Sequence, residues 1–186
     1  MEEDQLLVKR ILNGEESAFK ELIQANQRLV YHMVNRLIDL PEDREDLCQE
    51  IFLKVFKKLP DFRFQSRLST WIATIAYRAA LNYLKKANRQ RASTLEDVAF
   101  NLKDDQTSAD IGMHKERLNQ HIHHMISQLP PHYQTVLTLY HMEEMPYAEI
   151  AKVCDMPEGT VKNYIFRARK LLKERIEKVY IKEELL

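Results

Sequence analysis

The stretch from Tyr147 to Lys170, YAEIAKVCDMPEGTVKNYIFRARK, constrains the fold more than any other part of the chain. Its apolar residues Ile150, Cys154, Met156, Val161 and Tyr164 fit the inward positions of two short helices joined by a tight turn. Ala151 falls where those helices would cross, and a larger side chain would hold them apart. The turn carries Asp155 and Pro157. Asp tolerates a positive φ better than most residues other than Gly, and a proline just before a helix start is well placed. The second helix is therefore predicted to begin near Glu158, completing a helix-turn-helix.

That second helix has two unlike faces. Val161, Ile165, Ala168 and Leu172 recur at helical spacing and form the inward side. At ~100° per residue, the opposite side collects Lys162, Asn163, Phe166, Arg167 and Lys170, with Glu158 and Thr160 at the helix start. Solvation would explain the charges, but not a phenylalanine set between an amide and two cations. Cations pair with guanine edges, amides with adenine, and apolar groups with the thymine methyl in the major groove. The helix is read as a DNA reader.

A chain of 186 residues that is 45% hydrophobic can bury one or two modest cores. Only three glycines occur and β-branched alternation is hard to find, so an all-α protein is expected. The formal net charge is zero, which excludes a uniformly basic coat but hides strong segregation. Asp39, Glu42, Asp43, Glu45, Asp46 and Glu50 crowd one segment against Arg44. From Lys54 to Arg91 the sign reverses, and Asp61 is the only acid. Single-sign fields of this length mark a polyanion partner. Aromatics interleave with these cations at Phe62, Phe64, Trp71, Tyr77 and Tyr83, a combination that suits a single strand, whose bases stack and whose phosphates are tracked. Cys48 and Cys154 are isolated in apolar patterns, as buried thiols of a reducing compartment would be. There is no signal-like start and no apolar run long enough to cross a bilayer, so a soluble cytoplasmic protein is expected.

In chain order, helical periodicity breaks at Asn13-Gly14 and resumes from Ser17 through Phe19, Leu22, Leu29, Val30, Met33, Val34 and Leu37. Pro41 opens a helix whose inward residues are Leu47, Ile51, Val55 and Leu59, widened by Phe52 and Phe56. Phe62 to Thr70 is read as a loop before a helix begun near Ser69 or Thr70. The acidic, Ser/Thr-rich stretch after Ala92 is read as a linker. Periodicity returns with Leu118, Ile122, Met125, Ile126 and Leu129, stops at Pro130-Pro131, and continues with Tyr133, Val136, Leu137 and Tyr140.

LPPHYQTVLTLYHMEEMPYAEIAKVCDMPEGTVKNYIFRARKLL resembles region 4 of bacterial RNA polymerase sigma factors. DREDLCQEIFLKVFKKLPDFRFQSRLSTWIATIAYRAALNYLKK resembles their region 2. Having just these two regions and a short linker is similar to the extracytoplasmic-function class. Departures from the family pattern are Gln134 where Arg is common, Asp155 for Gly, Asn163-Tyr164 for Ser-Arg, and Arg78 for Asn. Those in the reading helix imply a different promoter sequence rather than a different activity.

The resemblance implies two small helical domains joined by a flexible acidic linker. Residues 1–91 would form region 2, 92–116 the linker, and 117–186 region 4, a helix-turn-helix of winged-helix-like outline. Asp46, Gln49, Glu50 and Lys54 would contact the clamp helices of core polymerase. Phe62, Arg63, Ser66, Arg67, Trp71, Tyr77, Arg78, Asn82 and Lys85 would melt and capture the −10 element. Glu158, Thr160, Lys162, Asn163, Phe166, Arg167 and Lys170 would read the −35 element. The acidic linker would run toward the RNA exit path. Core RNA polymerase, promoter DNA and an anti-sigma factor are the expected partners. No catalytic residue, cofactor, metal, small-molecule substrate or membrane insertion is expected. A stand-alone helix-turn-helix regulator would leave residues 54–91 unexplained. A metal site built on His121, His123, His124 and His132 near Cys154 matches no ligand spacing.

Overall fold

The computed structural model describes residues 2–38, 40–94 and 125–183. These form α1 (Glu2–Leu12), α2 (Glu16–Asn35), α3 (Pro41–Lys58), a 3-10 turn (Leu59–Asp61), α4 (Leu68–Thr94), α5 (Pro131–His141), α6 (Tyr147–Cys154) and α7 (Glu158–Glu183). No strand occurs among the described residues, so the expected all-α fold is found and no β-wing lies beside the helix-turn-helix. The predicted linker falls almost wholly outside the described residues, as do His121, His123 and His124.

Local chemistry sets the helix ends. α1 opens on Glu2, Glu3 and Asp4 and closes with Lys9 and Arg10, matching the helix dipole at both ends. It stops at Gly14, whose φ is +86°. The Gly14 N–H donates to the Ile11 carbonyl and the Glu15 N–H to the Arg10 carbonyl, the paired bonds of a glycine-terminated helix. Ser17 does not cap α2 as its position invites; its hydroxyl donates to the Glu15 carboxylate at 2.8 Å. Pro41 occupies the first turn of α3, where its missing N–H has no intrahelical partner to lose.

α1 to α4 enclose Leu22, Met33, Ile51, Val55, Leu59 and Ile72, all essentially without solvent contact. Burying such a side chain contributes roughly 1.5–3 kcal/mol each. α4 starts at Leu68, earlier than the sequence predicts, because the Asp4 carboxylate accepts the Leu68 N–H at 3.1 Å. The cap comes from the far end of the chain, where no local pattern could reveal it.

In the C-terminal half, α6 and α7 form the helix-turn-helix. Asp155 takes φ +53° and ψ +52° in the turn, and its N–H donates to the Ala151 carbonyl. Ile150, Val161, Ile165 and Ala168 are buried on the predicted faces. Gln134, which replaces the common arginine, is buried and donates its amide to the carbonyls of Ser127 and Leu129 at 2.9 and 2.8 Å, tying α5 to the segment before it.

Candidate nucleic-acid and polymerase interface

The outward face of α7 is laid out as the periodicity predicts. Lys162, Asn163, Arg167 and Lys170 are exposed, and Phe166 is 68% exposed with its backing residues Ile165 and Ala168 buried. A ring so open gives the folded chain almost no packing energy. Thr160 is half-buried, and Glu158 pairs with Lys162 at 2.8 Å. That hydrogen bond raises the Lys162 pKa, so the ammonium stays charged.

Beside this face stands an aromatic–cation group that periodicity did not single out. Tyr140 and Tyr147 stack with centroids 5.0 Å apart and rings 2° from parallel. Lys162 lies 5.4 Å over Tyr147, and Arg169 lies 5.3 Å over Tyr140. Arg169 also approaches His141 Nε2 at 3.0 Å, and burial together with this cation lowers the His141 pKa. Tyr140 reads in sequence as a core position. Its pairing with Tyr147 depends on how α5 and α6 pack, which is not a local property.

The second surface is the loop of residues 62–67 with the start of α4. Arg63, Arg67, Arg78, Asn82 and Lys85 are exposed, and Ser66 and Trp71 are half-buried. Trp71, Arg78, Asn82 and Lys85 follow at spacings of 7, 4 and 3, which places them on one stripe of α4. Phe64 holds φ at +56°, an unfavourable conformation for a bulky residue. A cavity of about 420 Å³ opens here, lined by Asp61, Phe62, Arg63, Gln65, Ser66, Trp71 and Lys152. Two expected contact residues are instead interior. Phe62 is only 7% exposed and backs Trp71 and Phe64, with ring centroids 5.0 and 4.7 Å away. Tyr77 is 8% exposed, and burial pushes its hydroxyl up to about 12. In this arrangement Phe62 supports the surface and Tyr77 packs against the helix-turn-helix.

A third surface lies between α2 and α3. Asp46, Gln49 and Glu50 are exposed on α3, while Lys54 is half-buried and pairs with Glu50 at 2.6 Å. Next to them runs an apolar groove of about 760 Å³, lined by Phe19, Ile23, Gln27, Arg28, Tyr31, Cys48, Gln49, Phe52 and Leu53. Phe56 packs edge-on against Phe19 at 4.9 Å, yet half of it remains open to solvent, as do Tyr31 and Leu53. By its spacing Phe56 belongs to the inward face. The apolar stripe of α3 is in fact wider than α2 can cover, and contiguous exposed apolar surface of this kind marks an interaction site. Among the described residues no cluster of His, Cys, Asp and Glu could hold a metal ion, and His132 packs instead on the rings of Tyr133 and Tyr164. No described helix is long and apolar enough to cross a membrane.

Two known families match the two halves of the chain. Residues 22–90 match the family Sigma-70 region 2, and residues 119–172 match Sigma-70, region 4. The chain is 33% identical over 183 residues to the RNA polymerase sigma-H factor of Pseudomonas aeruginosa, with 95% of each chain covered. It is 32% identical over 186 residues to the ECF RNA polymerase sigma-E factor of Haemophilus influenzae, covering 94% of this chain and 95% of the relative. Among solved structures, CnrH in complex with the cytosolic domain of CnrY gives a TM-score of 0.68 at 18% identity, covering 94% of this chain and 97% of that one. The sigma factor RpoE in complex with the anti-sigma factor NepR from Bartonella quintana gives 0.67 at 22% identity, covering 86% and 96%. At these identities the two structures speak for the fold alone. The sequence matches are decisive, and the chain belongs to the extracytoplasmic-function class of the sigma-70 family, RNA polymerase sigma factors that direct promoter-specific transcription initiation.

Proposed function

We propose that this chain divides the work of initiation among the three surfaces. The exposed face Lys162, Asn163, Phe166, Arg167 and Lys170, with Glu158 and Thr160 at its start, reads the −35 duplex. The stripe Trp71, Arg78, Asn82 and Lys85, with Arg63, Ser66 and Arg67 on the loop, takes the melted −10 strand. The polar residues Asp46, Gln49, Glu50 and Lys54 and the apolar groove beside them dock on the clamp helices of core polymerase. The working division is residues 1–91, a linker over 92–116, and residues 117–186.

The observation that supports this reading best is Phe166, an open aromatic among an amide and cations on a helix whose other face is fully packed. A good base contact contributes only ~1–3 kcal/mol, so either half alone binds DNA weakly. Polymerase holds the two at a fixed separation and converts two weak contacts into one spacing-dependent interaction. Extruding bases from the −10 element costs a few kcal/mol per base, and stacking on Trp71 offsets it by roughly 1–3 kcal/mol. This is coupled binding without covalent chemistry on the chain, in the cytoplasm and without a cofactor. A protein like the anti-sigma factor NepR, bound to the sigma factor RpoE in the solved structure of the same fold, is the regulator expected here too.

Run-off transcription with core polymerase and a genomic promoter library tests the reading. Initiation nowhere beyond what core alone supports would refute it. Arg167→Ala should impair duplex −35 recognition, and Trp71→Ala should spare that step and impair melting; a reversed pattern would refute the assignment of surfaces.

A further inference from the structure

The loop of residues 62–67 holds an uncommon shape, and both of its ends are fixed from the same helix. On the entry side, α1 packs against the 3-10 turn Leu59–Asp61, which closes with the Phe62 N–H donating to the Leu59 carbonyl at 3.1 Å. On the exit side, the Asp4 carboxylate accepts the Leu68 N–H at 3.1 Å. Between these two points Phe64 keeps its φ at +56°. The rings of Phe64, Phe62 and Trp71 follow one another with centroids 4.7 and 5.0 Å apart. A bulky residue holds a left-handed backbone only where its surroundings leave it no alternative.

The residues beside the start of α4 do not supply its cap. Arg67 stands at the capping position, since its carbonyl accepts the Trp71 N–H at 3.1 Å as the helix begins. A guanidinium has no acceptor to offer. Ser66 is turned elsewhere, its hydroxyl donating to the Arg67 carbonyl at 3.2 Å. The N–H at the start of α4 is therefore met by a carboxylate 64 residues earlier in the chain. An anion at this end also matches the helix dipole. Leu68 is buried, so water is a poor substitute for that acceptor.

We propose that Asp4 is a positioning residue for promoter melting. Its carboxylate fixes the start of α4 and the exit of the loop, and so sets Arg63, Ser66 and Trp71 at the spacing an unpaired strand requires. Asp4 touches no DNA in this reading and acts through the loop. Without it the first turn of α4 frays, Phe64 relaxes to an ordinary φ, and Phe62 loses its seat behind Trp71. A binding site works only within about 0.5 Å of its productive geometry, and a frayed first turn exceeds that. The reading face of α7 is untouched, so the effect falls on melting and not on −35 recognition. The proposal rests on reading residues 62–71 as the single-strand surface.

The test uses the full chain with core polymerase, on a promoter found by run-off transcription whose −10 element carries 2-aminopurine to report unstacking. Asp4→Ala should slow opening about fivefold, the factor that follows from losing a helix cap, and leave affinity for the −35 duplex within about twofold of the parent. Trp71 is the only tryptophan, and acrylamide should quench it more efficiently in Asp4→Ala. Asp4→Asn keeps an acceptor oxygen and should restore most of both. Glu3→Ala makes the same charge change at an exposed neighbour and should alter neither. Should Asp4→Ala fail to fold, a chain starting at Gln5 after its initiator Met removes the carboxylate and keeps the buried Val8 and Ile11 of α1. Opening at the parental rate, or a loss of opening matched by an equal loss of duplex affinity, would overturn the positioning role while Trp71→Ala still impairs opening. Opening left intact by Trp71→Ala would overturn the single-strand reading, and the proposal with it.

Discussion

Phe166→Ala separates recognition from folding more cleanly than any other change on the reading helix. The ring is 68% exposed in the folded chain. A phenylalanine buries roughly 150–250 Å² when fully covered, so about 100–170 Å² remains for a partner to cover. At about 25 cal/mol per Å², that area sets a ceiling of about 2.5–4 kcal/mol. A ring meeting a thymine methyl or sugar along one edge uses about half of this, roughly 1.5–2 kcal/mol, or about ten- to thirtyfold in affinity. Stability should move by no more than about 0.5 kcal/mol, as for other surface substitutions. The assay pairs a thermal melt of the isolated protein with fluorescence anisotropy of the polymerase-bound protein on a duplex carrying a −35 element found by run-off transcription. A lowered melting temperature with unchanged duplex affinity would refute the reasoning, because Phe166 would then be a packing residue.

Three further outcomes follow from other parts of the structure. Leu53→Asp, at the open edge of the groove between α2 and α3, should weaken association with core polymerase at least about tenfold, as for an interface anchor, and leave the melting curve unchanged. Arg10 donates hydrogen bonds to Glu15 and holds its carboxyl down at about 2, against an ordinary value of 4.5. A depressed carboxyl contributes stability that is present above the unfolded value and lost as pH falls through the folded one. Urea melts should therefore show Glu15→Gln less stable than the parent at pH 6, with the gap closing as pH drops from 4.5 toward 2. Burial pushes the Cys154 thiol up to about 12, while the half-buried Cys48 is raised by burial and by Glu45. A chromogenic thiol reagent at pH 8 should label Cys48 slowly and reach Cys154 only on unfolding.

Much of this protein is legible in the order of its residues, because its signals are local. The faces of α7 follow from a period of 3.6, and the left-handed turn residue from what Asp tolerates. The break at Gly14 and the proline opening of α3 need only neighbouring residues. The segregated charge is visible in the sequence alone.

The tertiary structure decided what depends on which helices meet. Phe62 and Tyr77 have the composition of single-strand contacts, but packing against Trp71 and the helix-turn-helix takes them inside. Phe56 has the spacing of a core residue, but α2 is too narrow to cover it. The cap on α4 arrives from Asp4, and the carboxylate at Arg67 and Thr70 arrives from Glu149. A helix face can be read from residues within two turns. The partner of that face is set by contacts across many tens of residues, where sequence order carries no distance information.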